Sequence, residues 1–184
     1  MSSSGSALAS RNITVAPDDI QFIPTRLLDD LMQRRPLTHT VADDLSSFTI
    51  VVLRALLIRL CAEGHADTTE EQLLALLSAQ CPFELWMNRQ QVRDAIKQLA
   101  EEAEESDASA DSQASTCSRH FAPCVPALHE MLQVNDEQRW EMHRLRAEGR
   151  LRHLEDNSES PTAENYYREY IRAVTKMPED DDHA

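Results

Sequence analysis

The chain has 184 residues, a formal net charge of −14, four cysteines and only three glycines. That length suits one domain with tails, or one domain with a small satellite. Gly5, Gly64 and Gly149 are too scattered to build a GxGxxG or GxxxxGK[ST] phosphate loop. So few glycines also leave few turns of positive φ, which disfavours hairpins and favours helices.

The acidity is uneven. Residues 101–115 hold six acidic residues and no basic one, and Glu179 to Asp182 add four more. Both stretches read as solvated spacer and tail rather than folded surface. The apolar stretch from Phe48 to Ala62 contains Arg54 and Arg59 and is too short for a bilayer, so no membrane partner is expected. The N-terminus lacks the apolar core of a signal peptide. The expected location is therefore the cytoplasm or the nucleus, with the cysteines as thiols.

In chain order, the Ser-rich residues 1–16 read as a disordered N-terminus. A short helix is expected from Thr25 to Arg35, with Leu27, Leu28, Leu31 and Met32 on one face and Pro36 as its stop. The next helix is expected to start near Asp44 or Ser46 and run from Ser47 to Glu63, ending at Gly64. Its apolar residues point in every direction, which predicts a helix buried all round. Thr68 and Glu71 have the spacing of a capping box before Leu73, Leu74, Leu76 and Leu77. Residues 83–87 read as an apolar connector. Asn88 and Gln91 then open a third helix, with Val92, Ala95, Ile96, Leu99 and Ala103 on one stripe.

The expected organisation is a helical core domain over 17–105, an acidic, Pro-containing linker over 106–125, a C-terminal helical region over 126–177 and an acidic tail over 178–184. Within the C-terminal region, short (126–132) and longer (136–154) helices are expected. Ser160-Pro161 starts a last helix carrying Tyr166, Tyr167, Tyr170, Ile171 and Val174. The fold class expected is all-α, a helical bundle.

The helix order over residues 44–105 resembles a helix-turn-helix or winged-helix core. The likeness rests on helix order and on no diagnostic motif. It implies a buried first helix, a crossing second helix and a third with a polar face outward. On that third helix Arg89, Arg93 and Lys97 fall at i, i+4 and i+8. Cations on one face are what a DNA backbone requires. Residues 46–100, however, hold five basic and six acidic side chains, and an acidic stretch stands where the wing should be. A protein-docking module is therefore preferred to a DNA-associated regulator that uses helix 88–104 for recognition.

Two further surfaces are expected to meet a partner protein. One is a charged helix presenting Trp140 and Leu145; the other is the Tyr166, Tyr167 and Tyr170 stripe. Cys117, His120, Cys124 and His129 fall within 13 residues and are candidate zinc ligands. Their loops lack glycine, so the preferred reading is a Pro-containing loop with no cofactor, tucking Phe121 and Val125 onto the core. No HExxH, GxSxG or CxxC motif is present, and no catalytic residue is nominated. The expected function is a non-catalytic interaction subunit or adaptor of an intracellular assembly.

Overall fold

The computed structural model describes residues 17–35, 37, 39–108, 117–148 and 161–178. The N-terminal serine-rich stretch, Gly149 and the end of the acidic tail lie outside the described residues. All regular structure among them is helical, with no strand. After a 3-10 segment, Pro17–Phe22, come six α-helices: α1 (Thr25–Met32), α2 (Val41–Glu63), α3 (Thr68–Leu77), α4 (Pro82–Ala108), α5 (Val125–Ala147) and α6 (Pro161–Val174).

Helix α1 ends at Met32, three residues before the expected Arg35, and the chain leaves it through Arg34 at φ 53°. Its Arg26 is buried and donates to Asp30 one turn on, at 3.0 Å, and to Asp43 of α2 through Nε, also at 3.0 Å. A buried guanidinium is tolerated there because two carboxylates face it.

Helix α2 starts several residues earlier than expected. Asp43 makes the difference: its carboxylate accepts the Thr40 backbone N–H at 2.8 Å and the Thr40 hydroxyl at 2.9 Å. That closes a capping box around the first turn. At the other end Gly64 adopts φ 71°, and His65 N–H reaches the Leu60 carbonyl at 2.9 Å. Only glycine takes that left-handed turn without steric cost, and the helix stops there. The expectation of burial all round is overturned. Leu53, Leu57 and Leu60 are buried, but Phe48, Val51 and Ile58 stand 41–48% exposed. Apolarity on every face says nothing about which faces find a neighbour, and among the described residues no helix covers one face of α2.

The capping box of α3 uses Asp67 and Glu70, one residue before the expected pair. Glu70 is fully buried. One carboxylate oxygen accepts Asp67 N–H at 2.9 Å and the other accepts Ser118 N–H at 2.8 Å. The same side chain thus starts α3 and pins the segment that precedes α5.

Helix α4 absorbs the expected connector. Pro82 sits at its first position, where proline is tolerated, and the helix continues to Ala108. Asn88 starts nothing; its side-chain amide donates to the Leu76 carbonyl at 2.9 Å and satisfies the end of α3. Likewise α5 is one helix where two were expected. Asn135, between the two expected helices, donates to Thr49 Oγ1 of α2 at 2.8 Å.

The stretch expected as a linker is not one throughout. Its first part extends α4, and Cys117, Ser118, Phe121 and Cys124 are buried. Phe121, Val125 and Leu128 join leucines of α2 and α3 and Val92, Ile96 and Leu99 of α4 in the main core. A second cluster joins Leu45 of α2, Met131 and Val134 of α5, and Tyr170 and Ala173 of α6.

Candidate interaction surfaces

The α4 face named from sequence does not exist as one surface. Arg89 is buried, not presented to solvent. Its guanidinium donates to the Gln21 carbonyl at 2.7 Å and to the Ile23 carbonyl, tying the 3-10 segment to α4. Burial pulls its pKa down to about 10. Arg93 is half-buried and bridges Asp94, at 3.1 Å, and Asp136 of α5, at 3.2 Å. Burial alone would lower its pKa, but the carboxylates of Asp136 and Asp94 outweigh it and hold it above the ordinary value. Lys97 alone of the three is exposed, beside Glu101 at 3.6 Å.

Trp140 stands on the surface, 69% exposed, whereas Leu145, expected beside it at a partner's groove, is buried. The two lie on different sides of α5. Trp140 borders a shallow groove of about 740 Å³ shared with Trp86, Gln90, Asp136 and Arg139. On its other side, a depression of about 350 Å³ runs past Glu137 and Glu141 to Tyr166.

The tyrosine stripe divides three ways. The Tyr166 hydroxyl donates to Glu141, and burial together with that carboxylate raises its pKa. Tyr167 is exposed. Tyr170 is buried rather than available at an interface. Its hydroxyl lies 2.7 Å from Thr49 Oγ1. Thr49 gives its own proton to the Leu45 carbonyl at 3.0 Å, so Tyr170 is the donor. Burial pushes the Tyr170 phenol up to about 12.

The four candidate zinc ligands are not brought together. Cys117 and Cys124 are buried, while His120 is exposed and stacks on His65 with ring centroids 4.1 Å apart. His129 lies half-buried on α5. Among the described residues no group of three or more His, Cys, Asp or Glu side chains is placed to hold a metal.

A surface that was missed lies on α2 and α6. Phe48, Val51, Ala55 and Ile58 are all exposed, at i, i+3, i+7 and i+10 along α2. Tyr167 and Ile171 of α6, exposed by 37% and 59%, add to the apolar surface. Helix α6 packs on α2 here, with the Phe48 and Tyr170 rings edge-to-face at 6.1 Å. The heptad-like spacing was visible in the sequence, hidden among equally apolar buried positions. Asp43–Glu63 is also long and apolar enough to cross a membrane by length and composition, which corrects the shorter span read from sequence. One third of that window is buried within the protein.

No protein-family model matches the chain, and no curated protein or solved structure matches it.

Proposed function

We propose that the chain is a non-catalytic protein-interaction subunit of a larger intracellular assembly, acting in the cytoplasm or nucleus. Its docking surface is the uncovered face of α2 with the adjoining side of α6, and its occupant is an amphipathic helix of a partner protein. The observation that carries this reading is the exposed series Phe48, Val51, Ala55 and Ile58. Apolar residues at alternating spacings of three and four make a straight seam that fits one side of a second helix. Ala55 in the middle lets the two backbones approach closely.

Size favours the same reading. With Tyr167 and Ile171, the seam exposes on the order of 500 Å² of apolar side chain, the level of the largest patch on a typical monomer. A matching helix would double that to about 1,000 Å², the lower bound for a specific interface. The DNA-associated alternative draws less support, since Lys97 is the one cation of its three that remains exposed.

A photo-reactive amino acid placed at Val51 or Ile171, in the full chain in its native source, tests the proposal. Cross-linking to one and the same partner protein from both positions, and none from the exposed polar Gln98 of α4, is the expected result. Cross-linking no greater than that at Gln98, or only to second copies of the chain, would overturn it.

A further inference from the structure

Among the described residues, four buried side-chain atoms make no hydrogen bond: Arg89 Nε, Asn135 Oδ1, Gln138 Nε2 and Gln138 Oε1. All three residues line one cavity of about 60 Å³, set among α1, α2, α4 and α5. Arg89 and Gln138 are 5% and 3% exposed. Unpartnered polar groups are rare inside proteins, and four on residues that line one space point to something that fills it.

The charge balance of the lining says what. Asp43 is engaged by Arg26, and Asp136 by Arg93 and Arg139, each of these at 3.2 Å. Arg89 has backbone carbonyls as its partners and no carboxylate. Its positive charge is the one in the lining that lacks a counter-ion, and a buried charge without one is costly. An anion would supply it, accepting from Arg89 Nε–H and from the Gln138 amide. Asn135 Oδ1 and Gln138 Oε1 are acceptors, because the Asn135 amide nitrogen is already committed to Thr49. One of them calls for an O–H on the ligand, and a water beside the ligand serves the other. Sixty cubic ångströms is room for about four waters, or for a planar anion of about four heavy atoms.

We propose that this cavity binds a small oxyanion bearing one hydroxyl, of the size and chemistry of bicarbonate. Entry is by way of the Trp140 groove, because Gln90, Asp136 and Arg139 line both spaces.

Thermal unfolding of the full chain at pH 8, in sodium bicarbonate against sodium chloride at matched ionic strength, provides the test. Bicarbonate should raise Tm as the logarithm of 1 + [bicarbonate]/Kd, by about 3–6 °C at tenfold its dissociation constant. Chloride should give no such rise. Arg89→Gln should abolish the bicarbonate response. Since that variant loses contacts that hold the 3-10 segment, Gln138→Met serves as the second probe. It keeps the side-chain volume and removes both amide groups, so it should fold and lose most of the response. Equal shifts from bicarbonate and chloride, or a bicarbonate shift that persists in folded Gln138→Met, would overturn the proposal.

Discussion

Tyr170, Thr49 and Asn135 come from three helices and meet at one oxygen. Thr49 Oγ1 donates to Leu45 and accepts from both Tyr170 and Asn135, which uses its hydrogen-bonding capacity in full. Nothing in the stripe of tyrosines at 166, 167 and 170 distinguishes the inward ring from the outward ones; the partner on α2 is 121 residues away. The same holds for Glu70, whose value lies in the Ser118 N–H it accepts from 48 residues on. Tyr170→Phe should cost about 1 kcal/mol at neutral pH, the net worth of one hydrogen bond, measured by urea unfolding. The phenol ionises near 10 when the chain is unfolded and near 12 when it is folded. Between those values the unfolded state has released a proton that the folded state still holds, so this group's contribution falls as pH rises. Wild type should therefore lose stability faster than Tyr170→Phe from pH 10 to pH 12, and the gap between them should close and then reverse. A constant gap across that range would refute the assignment.

At the scale of elements, the sequence was most legible where a local rule had no rival. The stop at Gly64 and the Pro161 start match the spacing rules. Errors arose where a residue with a known local role was used for a distant one. Asn88 resembles a helix start, yet its side chain bonds across to α3 and α4 runs through it; α5 likewise runs through Asn135, whose side chain bonds to α2. Two overlapping boxes, Asp67/Glu70 and Thr68/Glu71, have the same spacing, and only the contact of Glu70 with residue 118 selects between them. For α2, hydrophobicity identified the helix but not its uncovered face. The neighbours Leu57, fully buried, and Ile58, 46% exposed, make that distinction testable. Leu57→Asp should abolish the folded state, since a carboxylate buried without a partner costs more than a small domain's stability margin. Ile58→Asp should melt within about 1 kcal/mol of wild type. Circular dichroism on the two variants checks this, and equal damage from both would mean that the α2 face is covered.

Over the whole molecule, α2 and α5 each contribute to both core clusters, so the first helices and the last share their support. Sequence reading put a linker between a core domain and a separate C-terminal region because residues 101–115 are so acidic. Glutamate and alanine are also good helix formers, and over residues 101–108 they extend α4 instead. The candidate site was less legible than the fold. Arg89, Leu145 and Tyr170 proved to be interior, Trp140 and Tyr167 lie outside, and the α2 seam and the Arg89 cavity were not foreseen. Burial of a polar residue depends on partners far along the chain, which no local spacing encodes.

Trp86 and Trp140 are the chain's two tryptophans, and both border the one groove on α4 and α5. Selectively excited tryptophan emission therefore reports on that groove and is nearly blind to the α2–α6 face. A partner helix seated on the seam should leave the emission maximum where it is. A ligand lying against Trp140 should shift it to the blue by removing water from the indole. An unlabelled sample in a fluorimeter can thus tell which of the two surfaces a partner has chosen.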